Sequence, residues 1–251
     1  MLLAIDIGNS AVKFGVFDGD KLSSKFSIPT KRDYSIDEIA REVNDRLPHA
    51  VDAAVICSVV PEIENAMTGF VSESFKVKPR FVRSTDDLGL KANFSVATTG
   101  VDRSVNSSAA AEKYGVPCIV VSFGTATTID VVSRDREYLG GLIAPGVTVS
   151  ARALSLATSK LPEVEVRKPI GVIAQTTETA IQSGIVYGHI AMVQGLLRQV
   201  MTELGTRPKV IATGGSAELL APEIDLIDIV DSDLTLAGLN LIYEKRPSQP
   251  G

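Results

Sequence analysis

Two cysteines and two histidines are all that 251 residues contain, and no long apolar run is present. Cys57 and Cys118 both lie inside apolar stretches (VICSVV and CIVVSF), where cysteine behaves as a small buried hydrophobe. A pair so placed excludes a disulfide framework and fits a reducing compartment. His49 follows Pro48 in a loop and His189 falls mid-helix among apolar residues, so no zinc constellation can be assembled and neither histidine reads as catalytic. Basic residues are not in excess: 25 Lys and Arg stand against 30 Asp and Glu, for a net charge of −5. No Lys/Arg cluster is interleaved with aromatics, which sets nucleic acid aside as a main partner. No apolar stretch reaches the roughly 18 residues of a membrane span, so no membrane association is expected. Residues 2–5 are too short for a signal-peptide core and run straight into Asp6. The expectation is a cytoplasmic protein.

What is present is a 45% hydrophobic chain, enough to bury a sizeable core as one large α/β domain or two smaller ones in contact. Periodicity alternates between short β-rich runs and longer helical ones. Residues 2–5, 12–17 and 21–28 read as antiparallel strands, the first two joined by a turn at Gly8 and the last two by Asp18-Gly19-Asp20. Residues 35–47 read as a helix opened by Ser35 with Glu38 three positions on, the pattern of a capping box. The continuous apolar run 53–60 suits a central strand. Residues 62–75 then form a helix, 80–82 a short strand, and 103–114 a helix stopped by Gly115 and Pro117.

The pattern then restarts. Strands are expected over 118–121, 127–133 and 138–143, with a turn at Ser122-Phe123-Gly124-Thr125 and another around Asp135. A long helix over about 177–204, a strand over 209–213, a Gly214-Gly215 turn into a short helix from Ser216, and a last helix over about 234–243 complete the chain. Aligning LAIDIGN (3–9) with IVVSFGT (119–125) superposes the two turns, and each is followed by a strand, a polar turn and another strand. A supersecondary unit repeated twice is not a solenoid. It predicts two similar β-β-β-α-β-α lobes facing each other across a cleft, a natural ligand site. Lobe boundaries are expected at 1–115 and 116–244, with a Pro/Ser/Gln-rich disordered tail over 245–251.

The turns carry the chemistry. Gly8 lets backbone approach a ligand, Asn9 and Ser10 supply short donors beside exposed N–H groups, and Lys13 can reach back as a point charge toward phosphate. Asp6, at a strand end, is placed to hold a hydrated divalent cation. Taken alone, this turn fits an ordinary hairpin with Asp and Asn as turn formers just as well. A second turn, Gly124-Thr125-Ala126-Thr127-Thr128, at the equivalent place favours phosphate binding, although strand propensity alone explains Thr127 and Thr128. Gly214 and Gly215 would let an adenine or ribose lie against backbone at a helix start, and a plain helix-start turn is an equal reading. Between the lobes, Gly100-Val101-Asp102-Arg103 sets an acid beside a guanidinium at a helix start. Asp102 could accept a proton from a substrate hydroxyl and Arg103 could grip a carboxylate, while a cap with a surface ion pair explains the same residues.

Together these residues resemble the type III pantothenate kinases, of the actin/hexokinase/Hsp70-like superfamily. The likeness runs through AIDIGNSAVKFGVF, CSVVP at 57–61, GVDR, GTATTID, GGLIAPG at 140–146, TTETAIQSGIVYG and ATGG. It implies a duplicated ribonuclease H-like (actin-like ATPase) fold with ATP in the cleft. The implied reaction is transfer of the γ-phosphoryl group of ATP to the primary hydroxyl of pantothenate, the entry step to coenzyme A. By this resemblance Asp6, Ile7, Gly8, Asn9, Ser10, Ala11, Val12 and Lys13 hold ATP phosphates and Mg²⁺, with Asp6 the metal ligand. Thr125 binds ATP, with Gly124, Gly214 and Gly215 beside it. Asp102 is the general base, Gly100, Val101, Asp102 and Arg103 contact pantothenate, and Thr177 contacts it at a homodimer interface. A monovalent cation, potassium or ammonium, is expected alongside Mg²⁺.

Three departures stand out. Ser10 replaces the family's usual Thr and keeps the hydroxyl. Residues 93–99 (NFSVATT) lack the usual Asn-Pro. Ser122 occupies the position of the Asp that coordinates the monovalent cation, and a neutral hydroxyl is a weaker ligand than a carboxylate. Two other readings follow: a weakened paralogue acting as a binding or regulatory accessory protein, and a kinase for another small hydroxyl substrate.

Overall fold

The structure is a computed structural model that describes residues 1–84 and 88–245. In chain order its elements are β1 (Leu2–Ile7), β2 (Ala11–Asp18), β3 (Lys21–Pro29), α1 (Ile36–Val43), β4 (Ala53–Ser58), α2 (Glu64–Phe75), β5 (Arg80–Phe81) and α3 (Val101–Tyr114). They continue with β6 (Cys118–Phe123), β7 (Ala126–Val132), β8 (Tyr138–Pro145), α4 (Val147–Ala157), α5 (Thr177–Leu204), β9 (Lys209–Thr213), α6 (Ala217–Leu220), β10 (Ile229–Val230) and α7 (Leu234–Lys245). Two compact units result: Met1–Ala109 with the segment from Asp233 onward, and Ala110–Ser232.

In the first unit the strand order is β3-β2-β1-β4-β5. β1 lies at the centre, antiparallel to β2 and parallel to β4. All six of its residues are buried. Because strand side chains alternate, Leu3, Ile5 and Ile7 enter one core with Phe14, Ile39, Met67 and Phe70. Leu2 and Ala4 enter another with Val55, Cys57, Val101, Val105, Leu236 and Leu239. Asp6 shares the parity of Leu2 and Ala4, so it ends the face on which α3 begins. α1 starts as the sequence predicts, with Ser35 and Glu38 forming a reciprocal capping box, a feature of about 1 kcal/mol. Phe14 and Phe26 stack across β2 and β3 with ring centroids 4.9 Å apart.

In the second unit the order is β10-β9-β6-β7-β8. β6 takes the place of β1, antiparallel to β7 and parallel to β9. The duplication extends to single hydrogen bonds. Gly8 N–H donates to the Ala11 carbonyl at 3.0 Å, and Gly124 N–H donates to the Ala126 carbonyl at 3.1 Å. Thr30 N–H donates to Ser10 O at 3.1 Å, and Gly146 N–H donates to Thr125 O at 3.0 Å. The second turn is one residue shorter, because Ile7 pairs with Val12 whereas Phe123 pairs with Thr127.

Several sequence expectations are corrected. Ser122 is a strand residue, paired with Thr128 and Thr213, not part of the turn. Residues 147–157 form α4, and β10 pairs with β9, where no element was expected. The helix from residue 36 is regular only to Val43 and tightens into a 3-10 turn at Asn44–Arg46. α7 packs on β1, β2 and β4, so it belongs to the first unit and not to the 116–244 half. Lys245 ends α7, and the rest of the expected tail lies outside the described residues.

Candidate functional site

In the first turn Gly8 is partly covered, while Asn9 and Ser10 are exposed. Thr30 pins the turn: its hydroxyl donates to the Gly8 carbonyl at 2.6 Å and its N–H donates to Ser10. The N–H of Gly8 is used within the turn, so of the polar groups counted on from the sequence, Asn9 and Ser10 present the open face. Ile7 and Val12 hold that face as a strand pair, and the Ala11 carbonyl closes the turn by accepting from Gly8 N–H.

Asp6 and Lys13 are direct partners across β1 and β2, with Lys13 Nζ 3.6 Å from Asp6 Oδ2. On the other side Cys57 is the β4 partner of Asp6, and its thiol donates to Asp6 Oδ1 at 3.4 Å. Cys57 is fully buried, and burial followed by the Asp6 and Asp102 carboxylates pushes its thiol well above the ordinary value. The thiol therefore stays protonated. Val101, next to Asp102, packs in the same core as Cys57, so α3 begins on the face of the sheet that carries Asp6.

Asp102 is in the first turn of α3. The helix is entered at Gly100, whose carbonyl accepts from Arg103 N–H at 3.0 Å and Ser104 N–H at 3.3 Å. Val101 and Val105 are buried in the core behind β1 and β4 and fix the helix's rotation. Asp102 and Arg103 are left half-covered. Beside them a cavity of about 450 Å³ is lined by Ser58, Val59, Arg83, Ser84, Gly100 and Val101, among others. Arg83 is clamped by Glu64 through two contacts, Nη1–Oε1 at 2.9 Å and Nη2–Oε2 at 2.8 Å. It also lies over the Phe81 ring. That pair holds the Glu64 carboxyl below its ordinary value.

In the second unit Gly124 and Thr125 are exposed at the tip of the turn. Thr127 and Thr128 are buried and do not reach it. Thr127 Oγ1 lies 2.9 Å from Nε2 of the buried His189 on α5. Thr128 donates to Asp130 Oδ2 at 3.1 Å, and Tyr138 donates to Asp130 Oδ1 at 2.6 Å. Gly214 has φ +96°, and a Cβ there would sit 2.6 Å from the Phe123 carbonyl oxygen. The same carbonyl accepts from Ser216 N–H at 3.0 Å, so the Gly214-Gly215 turn is pressed against the end of β6. Thr177 is exposed as the first residue of α5, behind the Thr176 cap and its reciprocal bond with Thr179.

Sequence reasoning missed Cys57, Asp130, Tyr138 and the Thr127–His189 contact. Asp130 lies within GTATTID and is buried, its carboxylate held by Thr128 and Tyr138. Among the described residues no group of three or more His, Cys, Asp or Glu is arranged to hold a metal. No described helix is long and apolar enough to cross a membrane.

Comparison with known proteins adds a family. The model described as type III pantothenate kinase matches residues 2–199. A type III pantothenate kinase from Roseiflexus sp. (strain RS-1) is 41% identical over 255 residues, 99% of this chain and 100% of that one. One from Geobacillus sp. (strain WCH70) is 39% identical, covering 98% of each. Among solved structures, a Baf family protein from Campylobacter jejuni aligns with a TM-score of 0.62 at 21% identity, over 97% of this chain and 98% of that one. A Listeria monocytogenes protein classed as an N-acetylmannosamine kinase aligns with a TM-score of 0.52 at 12% identity, over 98% and 99%. At such identities these two speak for the fold alone, two α/β units each built on a five-stranded sheet.

Proposed function

Because the chain belongs to the type III pantothenate kinase family, we propose that it transfers the γ-phosphoryl group of ATP to the primary hydroxyl of pantothenate, giving 4'-phosphopantothenate for coenzyme A synthesis. The observation that carries this reading is the Asp6–Cys57 contact at the end of β1, with the start of α3 that bears Asp102 packed in the same core beside the cavity at Gly100 and Val101.

Phosphoryl transfer needs positioning and charge neutralisation more than covalent help from the protein. Asp102 accepts the proton of the pantothenate hydroxyl as its oxygen attacks phosphorus, which raises the nucleophilicity of that oxygen at the moment of bond formation. Arg103 offers a planar fork to the pantothenate carboxylate, with Gly100 and Val101 forming the adjoining wall. The turn at Gly8, Asn9 and Ser10 presents donors to the phosphates, and Lys13 adds a cation on the same side. Gly124 and Thr125 bind further along the nucleotide, and Gly214 and Gly215 leave room for a flat ring or ribose. Thr177 would add a hydroxyl toward pantothenate across a homodimer interface.

Mg²⁺ needs only one or two carboxylates, because it keeps most of its waters and takes the rest of its shell from phosphates. Asp6 would hold it, and the ion would neutralise charge on the transferred group. In the second unit the rung of Ser122, Thr128 and Thr213 carries only hydroxyls, where the family has a carboxylate, so we read the monovalent site as lost or weak. A homodimer is supported by Leu156, Ile170 and Ile173 in the second unit, which expose most of their apolar surface. Sedimentation velocity reads that directly. The two buried free thiols fit a cytoplasmic setting.

The test compares wild type with Asp102→Asn by mass spectrometry of the product. The wild type should convert pantothenate to its monophosphate ester, and the variant should be slower by roughly 10²–10⁴-fold while melting at the same temperature. Equal rates would remove Asp102 from the mechanism.

A further inference from the structure

Asp6 is gripped from both neighbouring strands. Lys13 on β2 lies 3.6 Å from Oδ2, and the Cys57 thiol on β4 donates to Oδ1 at 3.4 Å. The two oxygens therefore have different partners, and the plane of the carboxylate is set by both. Cys57 is 0% exposed, while Asp6 keeps 10% of its side chain open.

We propose that Cys57 is a positioning residue that fixes the Asp6 carboxylate for the metal–nucleotide. The inference rests on the reading of Asp6 as the Mg²⁺ ligand. Two further observations support it. The first is the repeat: the rung that holds Asp6 between Lys13 and Cys57 corresponds to Ser122 between Thr128 and Thr213. The place of Cys57 is thus taken by Thr213, which is likewise buried and likewise a hydrogen donor. The second is the strand itself. Ala54, Val55 and Ile56 fill β4 with hydrocarbon, and the strand turns to donor side chains at Cys57, opposite Asp6, and Ser58 after it. A role in packing alone would be met by another apolar side chain.

Partners that orient a metal-binding carboxylate carry roughly 10–100-fold of metal affinity. The experiment measures binding of Mn²⁺ with a non-hydrolysable ATP analogue by electron paramagnetic resonance in the full chain. Wild type is compared with Asp6→Asn, Cys57→Ala, Cys57→Ser and Val55→Ala. Val55 lies two positions before Cys57 in the same core, so Val55→Ala reproduces the loss of packing without touching Asp6. Cys57→Ala should weaken Mn²⁺–analogue binding about tenfold. Cys57→Ser should restore it to within about threefold, since the hydroxyl still donates, and Val55→Ala should not shift it. Pantothenate KM, read in parallel, should stay unchanged in Cys57→Ala. Binding in Cys57→Ala that matches Val55→Ala, or no rescue by serine, would overturn the role of Cys57 while leaving Asp6 in place. If Asp6→Asn binds as tightly as wild type, the reading of Asp6 itself fails and this inference falls with it.

Discussion

The space that a Cβ on Gly100 would occupy is taken by Asp102: its Oδ1 lies 2.6 Å from that point. The carboxylate proposed as the general base thus folds back over its own helix start, and the absence of a side chain at residue 100 is what permits it.

Gly100→Ala should therefore displace the base without unfolding the protein. The obstruction is the end of a mobile side chain, so the backbone need not shift, and replacing glycine by alanine restricts the unfolded chain. The expected result is a melting temperature equal to or slightly above wild type, with kcat lower by about 10²-fold, the usual cost of misplacing a catalytic group by about 1 Å. Steady-state kinetics beside a thermal melt check it. Unchanged kcat would place Asp102 outside the reaction.

His189 makes one contribution to the acid dependence of stability. Burial pushes its imidazole below the ordinary value of 6.5. The unfolded chain takes up this proton near the ordinary value, whereas the folded protein does so only at lower pH. Below about 6.5 the unfolded state binds more protons, so stability falls with pH, by up to about 1.4 kcal/mol per unit, until His189 protonates in the fold. His189→Gln keeps a polar partner for Thr127 and removes this dependence. Urea unfolding at pH 7.5 and 5.5 should show a smaller drop for the variant than for wild type. Equal drops would contradict the assignment.

How far all this was legible beforehand differs by feature. The duplication was readable because the strand–glycine–strand pattern at Gly8 and Gly124 is local, and both glycines donate within their turns. The burial of Cys57 was readable because Val55 and Ile56 give it an apolar setting. Its contact with Asp6 depends on the register between parallel strands 51 residues apart, which no local pattern encodes. α4 was invisible because it opens with Val147-Thr148-Val149, residues that favour strands, and packing against α5 decides otherwise. α7 joined the wrong half for the same reason: its partners β1 and β2 lie more than 200 residues away.

Ser122 yields a prediction about ions. With only hydroxyls on its rung, turnover should be the same in K⁺, NH₄⁺ and Na⁺ salts at fixed ionic strength. Ser122→Asp supplies a carboxylate oxygen, a stronger ligand for a hard cation, and should make turnover rise with K⁺. Strong K⁺ activation of the wild type would show that other oxygens complete the site.

The central claim is ATP-dependent phosphorylation of pantothenate, and coupled ADP release from the purified protein tests it most directly. With Mg²⁺ and ATP present, ADP should form at a rate that rises and saturates with added pantothenate, whichever monovalent cation is supplied. ADP release that does not depend on pantothenate under any of those cations would contradict it.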